Sequence, residues 1–196
     1  GYTFAGWDNE VPDVMPGENL TFTAVWTINS YDVIWIVDGV ETKETYNYGS
    51  AINTPANPVK EGYTFTGWDK DFTSISSDLY VKAQYNINKY EVVFKDHDGT
   101  VLSTQEVEYL ADATAPQDPT REGYTFKAWD KAFEDIKGDL EVTAQYTINK
   151  YQVVFKDHDG TVLNTQEVEY LSAAVAPANP TREGYTFKAW DKAFED

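Results

Sequence analysis

The sequence predicts a β-rich α+β fold, built from tandem copies of one small domain. The tetrapeptide GYTF begins at four positions spaced by 61 residues: Gly1, Gly62, Gly123 and Gly184. Residues 90–135 and 151–196 differ at only seven of 46 positions, and both end in TREGYTFKAWDKAFED. Segments in which apolar and polar residues alternate recur at matching places in each copy, as β-strands require. A fixed repeat period of this kind indicates a tandem array.

Each complete unit opens with a predicted hairpin. In residues 90–109, YEVVFKDHDGTVLSTQEVEY, a run of β-branched and aromatic residues precedes Asp98–Gly99, and a second strand follows to Tyr109. Asp-Gly favours a tight turn between antiparallel strands. Pro116 and Pro119 then predict a loop, because proline cannot donate a ladder hydrogen bond.

The second half of the unit contributes two more strands and a short connecting element. GYTFKAW, residues 123–129, predicts the third strand, and LEVTAQY, residues 140–146, predicts the closing strand; LTFTAVW (residues 20–26) and LYVKAQY (residues 79–85) repeat its alternation. In DKAFEDIKGD, Phe133 and Ile136 lie three residues apart, which predicts a short helix or turn that carries two core anchors. The unit is therefore a small antiparallel or mixed sheet with one buried face.

We predict four pieces of the array, divided after the closing strands. Residues 1–29 are the C-terminal half of a repeat, 30–88 a complete repeat with a diverged hairpin, 89–149 a complete repeat, and 150–196 the N-terminal part of a repeat that lacks its last strand. TINS, NINK and TINK are then linkers of about four residues, too poor in Gly and Ser to be flexible tethers. Such linkers predict repeats arranged end to end as an elongated rod.

Composition excludes several classes of partner and cofactor. The 196 residues include 33 acidic and 15 basic side chains, a net charge of −18, and no cysteine. An acidic chain disfavours nucleic acid and anionic membrane surfaces. Without cysteine there are no disulfides and no thiol nucleophiles, and no run approaches the roughly 20 apolar residues of a membrane helix. We expect no nucleic-acid partner, no membrane insertion in this segment and no cofactor.

Two acidic turns, each KDHDGT, are weak candidates for a metal site. Their candidate ligands are Asp96, Asp98, Asp157 and Asp159. A calcium loop of the EF-hand type needs a bidentate Glu at its twelfth position, and here that residue is Val107. We interpret both segments as hairpin turns. One lone histidine per unit, His97 or His158, makes a poor metal site.

The recurring tryptophans are weak candidates for a ligand-binding surface. Trp68, Trp129 and Trp190 follow GYTF at a fixed distance in successive copies. If exposed, they would form a row that stacks on sugar rings. Their recurrence even where other segments diverge favours a role as core anchors, which is our interpretation. No arrangement of Ser, His and acid, or of paired carboxylates, predicts catalytic residues.

The combined motifs resemble the Listeria–Bacteroides repeat, also called the internalin B-repeat. They are YxVxFxDxDGTxLxTQxVEY, APxxPTREGYTFxxWD and VTAQYxIN, and together they cover nearly the whole chain. The resemblance implies β-grasp-like (ubiquitin-like) domains in tandem, an extracellular or cell-wall-attached bacterial protein, and no catalytic residues. Residues 35–49, WIVDGVETKETYNYG, depart from the pattern: they lack the KDHDGT turn and the TQEVEY strand, although Asp38–Gly39 preserves a turn.

The sequence favours a non-catalytic structural spacer or stalk in a bacterial extracellular, cell-surface or fibre-forming repeat protein. One alternative is a multivalent adhesin module that binds a host or matrix glycan or protein through avidity. Another is a fibre subunit in which Gly1–Asn29 of one chain completes the last repeat of the next. The expected partners are neighbouring repeats of the same or adjacent chains, and a host or matrix surface. A binder should expose an apolar or aromatic patch at the same place in every unit.

Overall fold

A computed structural model describes residues 1–193, and its regular structure consists of twelve short strands. Residues 194–196, which complete the second TREGYTFKAWDKAFED, lie outside the described part. The strands are β1 (Tyr2–Trp7), β2 (Ala24–Ile28), β3 (Ser30–Val37), β4 (Val40–Asn47), β5 (Tyr63–Trp68), β6 (Leu79–Ile87), β7 (Lys89–Lys95), β8 (Val101–Glu108), β9 (Tyr124–Trp129), β10 (Leu140–Ile148), β11 (Lys150–Lys156) and β12 (Val162–Glu169). The chain divides into two compact units, Gly1–Asn88 and Lys89–Asp196. Each of these units contains one complete repeat and one partial repeat, and from here on the word unit has this meaning.

The two complete repeats form the same four-stranded mixed sheet. Its strand order is β4-β3-β6-β5 in one repeat and β8-β7-β10-β9 in the other. The two central strands are parallel in each case, with Leu79 opposite Val33 and Leu140 opposite Val92, and both outer pairings are antiparallel. The prediction of a small mixed sheet is therefore confirmed.

One face of each sheet is covered by its own loops and forms the core. The buried residues are Val33, Trp35, Ile52, Ile75 and Val81 in the first complete repeat, and Val92, Phe94, Val107, Ala113, Ile136 and Val142 in the second. Along β10, burial alternates: Val142 and Ala144 are buried, whereas Glu141 and Gln145 are exposed. The alternation predicted for the closing strand is confirmed.

Of the two alternatives predicted for DKAFEDIKGD, a short helix or a turn, the helix is not observed: residues 1–193 are all-β and contain no helix, so the α+β class is not confirmed. The segment instead runs beside the preceding loop. Ile136 donates its N–H to the Ala111 carbonyl (3.0 Å), and its own carbonyl accepts from Leu110 N–H (2.8 Å). Backbone groups used in this way are not available for a helical ladder, and Asp135 has a positive φ of 50°. The same contacts bring Phe133 and Ile136 onto the core, as predicted.

The diverged second repeat keeps its hairpin, although it lacks the KDHDGT and TQEVEY motifs. Strands β3 and β4 pair from Ser30–Asn47 to Val37–Val40 without a bulge. The connection is the two residues Asp38 and Gly39, both with positive φ (48° and 81°), as the favoured two-residue hairpin turn requires. The hairpin is therefore formed in this repeat without the sequence motifs that predict it in the other repeats.

The linkers are shorter than the predicted four residues. Strand β2 ends at Ile28 and β3 begins at Ser30, and β10 ends at Ile148 and β11 begins at Lys150. Only Asn29 and Asn149 lie between them. Within each unit, therefore, one closing strand runs almost directly into the first strand of the next repeat.

The partial repeats differ from the predicted strand pattern where a pairing strand is missing. In the first piece the predicted strand at residues 20–26 is observed at Ala24–Ile28. Residues 20–23 correspond to the part of a closing strand that pairs in parallel with a first strand, which residues 1–29 do not include. In the last piece GYTFKAW forms no strand, because this segment pairs only with a closing strand in the complete repeats.

Replacing Leu110 by Gly should stabilise the repeat at residues 89–149. Leu110 has a φ of 63° and is 49% exposed, whereas the equivalent residue of the preceding repeat is Gly49, with a φ of 71°. A left-handed non-glycine residue costs about 1–2 kcal/mol, and the greater freedom of Gly in the unfolded chain offsets about 0.5–1 kcal/mol of that gain. The expected net gain is about 0.5–1 kcal/mol.

Urea unfolding of Leu110→Gly and of Gly49→Leu measures both directions of this exchange. The second variant is the control, and it should lower the stability of its own repeat. A loss of stability in Leu110→Gly would show that the leucine side chain contributes more through contacts than its backbone conformation costs.

Candidate functional site

Each KDHDGT segment closes its hairpin with the acidic side chains that were candidate metal ligands. Asp96 Oδ1 accepts the N–H of His97 (2.7 Å), and Asp98 Oδ1 accepts the N–H of Thr100 (2.9 Å). The Asp96 N–H also donates to the Thr100 carbonyl (2.8 Å). The hydrogen bond from Thr100 lowers the pKa of Asp98 below its ordinary value. The predicted hairpin turn is therefore present, with its carboxylates bonded to its own backbone.

The second turn repeats this geometry. Asp157 Oδ1 accepts the N–H of His158 (2.7 Å), and Asp159 Oδ1 accepts the N–H of Thr161 (2.9 Å). These backbone hydrogen bonds lower the pKa of both carboxyl groups. In each turn, ligand atoms of the two aspartates and the histidine lie within 4.8 Å of one another. The three groups are close enough to meet one cation. This geometry does not test our interpretation of the segments as hairpin turns, and metal binding stays the untested alternative.

Tyr146 joins the first turn to the closing strand of the same repeat. Its hydroxyl donates to Asp96 Oδ1 (2.7 Å), and its ring lies edge-on to His97 with centroids 5.5 Å apart. Burial and the hydrogen bond to Asp96 raise the pKa of Tyr146 to about 12. Burial also raises the pKa of Asp96, but hydrogen bonds from Tyr146 and His97 outweigh it, so the net pKa is lowered.

The contact between Tyr146 and Asp96 was missed by sequence reasoning, although the repeats contain a signal for it. In the preceding repeat Val37 ends β3 at the place where Asp96 follows β7. There the equivalent tyrosine, Tyr85, has a buried hydroxyl with no hydrogen-bond partner. Both repeats thus have the tyrosine, but only the repeat with aspartate at position 96 has the hydrogen bond; the repeat with Val37 at that place lacks it.

Tyr146→Phe should remove a loss of stability that the wild-type chain shows at alkaline pH. Because the folded pKa of Tyr146 is about 12 and an unfolded tyrosine ionises near pH 10, ionisation favours the unfolded state between these values. The contribution of the group is complete below pH 10 and is lost as the pH rises to 12. Denaturant unfolding at several pH values from 9 to 12 measures the difference between wild type and variant. Parallel pH profiles of the two proteins would contradict the assignment.

All three candidate tryptophans of the repeats lie against the same core position. Trp68 contacts Trp35, Trp129 contacts Phe94 and Trp190 contacts Phe155, with ring centroids 4.9, 5.0 and 5.0 Å apart. Trp68 and Trp129 pack against the hydrophobic cores of their repeats. These contacts support the core role that we predicted, and glycan stacking by the three rings stays the untested alternative.

The surface carries an apolar pair at the same place in two repeats. Val101 and Leu102 open β8 and are 55% and 37% exposed; Val162 and Leu163 open β12 and are 55% and 39% exposed. In the diverged repeat only the valine has an equivalent, the exposed Val40. Sequence reasoning did not single out this pair, because alternation assigns one residue of each pair to the core face.

A groove of about 940 Å³ lies in the last piece of the array. Phe155, Trp190 and Val153 are among the residues that line it. In the repeat at residues 89–149 the strand that pairs with the equivalent of Val153 is the closing strand β10. The groove is thus the place that a closing strand occupies in a complete repeat.

Taken together, the recurring hairpin, loop and closing strand define a tandem all-β repeat protein. The chain belongs to the Listeria-Bacteroides repeat domain family, whose sequence model matches residues 31–88, 90–150 and 151–195. The family predicted from the sequence motifs is confirmed.

Three curated relatives are similar to this chain. Two are proteins of Evansella cellulosilytica, one named as a Gly-rich membrane protein (32% identical over 97% of this chain) and one named as a membrane protein (31% identical over 87%). The third is Internalin H of Listeria monocytogenes, 39% identical over 51% of this chain. The matched regions span 26%, 29% and 20% of these relatives. Residues 1–193 contain no helix that is long and apolar enough to cross a bilayer.

Proposed function

We propose that this chain is a non-catalytic spacer segment of a bacterial cell-surface repeat protein. The observation that carries the proposal is the single-residue linker inside each unit, Asn29 or Asn149. Its backbone N–H and carbonyl are both hydrogen-bonded, to the repeat before it and to the repeat after it. A linker of one residue bonded on both sides has little freedom, so the length of an array should grow with the number of repeats.

Three observations support a location at the cell surface or outside the cell. Internalin H is similar to about half of this chain, and two further relatives are named as membrane proteins. The net charge of −18 keeps neighbouring copies apart in a crowded surface layer.

The β-grasp-like assignment is also part of the proposal. It is supported by the mixed strand order that both complete repeats share. The helical part of that prediction has no counterpart in residues 1–193.

Doubling the array tests the spacer function. The 196-residue chain and a tandem of two copies are each fixed to a flat surface by one end, and interferometry measures the height of a fluorophore at the other end. A spacer of fixed junctions predicts about a twofold increase in height, whereas a flexible tether predicts about 1.4-fold, the square root of the length ratio. An increase near the lower value would reject the spacer.

A multivalent adhesin is the second candidate, and the repeated pair of exposed apolar residues favours it. Val101 and Leu102 in one repeat, and Val162 and Leu163 in the next, offer the periodic patch that a binder needs. Weak contacts of this kind gain strength through avidity. Matrix binding by the wild-type chain should then fall when both pairs are changed to Ser. Equal binding of the wild type and this variant would reject the patch.

A further inference from the structure

The linker asparagine is fixed in the same way at both junctions that lie inside a unit. At the first, Asn29 N–H donates to the Gly1 carbonyl (2.8 Å), and Tyr48 N–H donates to the Asn29 carbonyl (2.8 Å). The Thr3 hydroxyl donates to Asn29 Oδ1 (2.6 Å). Gly1 and Thr3 belong to the repeat before the linker, and Tyr48 belongs to the repeat after it.

The second junction makes the same bonds between equivalent residues. Asn149 N–H donates to the Gly123 carbonyl (2.8 Å), Tyr170 N–H donates to the Asn149 carbonyl (2.9 Å), and the Thr125 hydroxyl donates to Asn149 Oδ1 (2.6 Å). The hairpin sequences that follow Asn29 and Asn149 differ widely. Each of these repeats nevertheless contacts the repeat before it through the same hydrogen bonds.

A glycine at each junction receives the tyrosine ring of the following repeat. A Cβ placed on Gly1 would overlap the ring of Tyr48, and a Cβ placed on Gly123 would overlap the ring of Tyr170. The neighbouring tyrosine of GYTF completes the contact: Tyr124 lies edge-on to Tyr170 with centroids 6.3 Å apart. Gly123 is buried and has a φ of 74°. Glycine is therefore required here by the backbone and, independently, by the ring above it.

We propose that this surface, which we call the glycine socket, is the docking site by which one repeat holds the next. It consists of the Gly and Thr of GYTF and the linker Asn. Its partner is the tyrosine that directly follows the second strand of the next repeat, Tyr48 or Tyr170. The diverged hairpin still has this tyrosine, Tyr48, although the rest of the TQEVEY motif is absent there. The socket would serve a spacer and an adhesin equally.

Gly184 provides a matched control for Gly123. The two glycines lie in the same REGYTF sequence and have φ values of 75° and 74°, but a Cβ on Gly184 would meet nothing within 4 Å. An alanine at either position brings the same backbone strain. Only Gly123→Ala should also displace a tyrosine ring of the next repeat.

Distances between two spin labels across the second junction test the proposal. Because the chain contains no cysteine, Lys127→Cys on β9 and Glu167→Cys on β12 provide two exposed labelling sites. Pulsed electron paramagnetic resonance should give one narrow distance in the wild type and in Gly184→Ala, and a broad distribution in Gly123→Ala. Equal widths in the two alanine variants would overturn the socket.

Variants of the tyrosine keep the test decisive if Gly123→Ala fails to fold. Tyr170 is outside the core cluster of the repeat at residues 89–149, so Tyr170→Ala should leave that core intact. We expect Tyr170→Phe to keep the narrow distance, since the ring remains, and Tyr170→Ala to lose it. A narrow distance in Tyr170→Ala would overturn the proposal. The spacer function is tested separately, by the height of the doubled array. An array that fails that test can still have intact sockets, so the two proposals fail independently.

Discussion

Replacing Val142 by Asp unfolds the repeat at residues 89–149. Val142 is fully buried in the closing strand, opposite Phe94 in the parallel pairing of the two central strands. An aspartate there buries a carboxylate with no cation beside it, which costs several kcal/mol. A domain of 60 residues has a total stability of about 3–9 kcal/mol. The substitution is therefore comparable with everything that holds the repeat together.

Hydrogen exchange followed by peptide mass spectrometry measures this effect for each repeat separately. Residues 140–148 have no identical copy elsewhere in the chain, so their exchange is assigned without ambiguity and should approach that of an unfolded segment. Gln145→Asp, on the exposed face of the same strand, is the control and should exchange like the wild type. Slow exchange of these residues in Val142→Asp would contradict the position of Val142 in the core.

Trp35→Ala destabilises the repeat at residues 30–88 by about 3–5 kcal/mol, the usual cost of deleting a buried aromatic side chain. Trp35 is 3% exposed, and its ring lies 4.9 Å from that of Trp68 and 5.0 Å from that of Phe72. Its removal leaves a cavity between rings that belong to two different segments. Trp35→Phe, which copies the equivalent Phe94, should cost much less, because it also removes an indole N–H that has no hydrogen-bond partner.

Urea unfolding and the exchange of residues 30–47 together measure the second effect. Tyr80→Ala removes an aromatic ring that is 52% exposed in the same sheet, and its small effect calibrates the loss at Trp35. Exchange of residues 140–148 should be unchanged in Trp35→Ala, because the two repeats have separate cores. Comparable losses in Trp35→Ala and Tyr80→Ala would show that Trp35 is not a central core residue.

Local patterns predicted the strands well where one repeat contains both the strand and its partner. The alternation in LEVTAQY placed Val142 and Ala144 on the buried face, and the spacing of Phe133 and Ile136 identified two core anchors. The choice between the short helix and the turn predicted for the same segment was left open, because periodicity does not reveal that the Ile136 backbone pairs with residues 110 and 111. That choice is made by tertiary contacts.

Contacts between distant segments were outside the reach of sequence patterns. Tyr146 and Asp96 are 50 residues apart and meet only because the first and last strands of a repeat are parallel neighbours. The linker asparagines were recognised as boundaries, but no pattern in TINS or TINK shows that both backbone groups of the asparagine are bonded. Comparison between repeats supplies part of this information, as the exchange of Asp96 for Val37 illustrates.

Small-angle X-ray scattering over a concentration series tests the spacer most directly. From the size of a 60-residue domain, the proposed spacer of four pieces arranged end to end predicts a maximum dimension of about 100 Å, unchanged by concentration. A compact particle would contradict the account, because the repeats would then pack side by side. A dimension that grows with concentration would also contradict it, since chains would be completing each other's sheets and the array would be a fibre subunit.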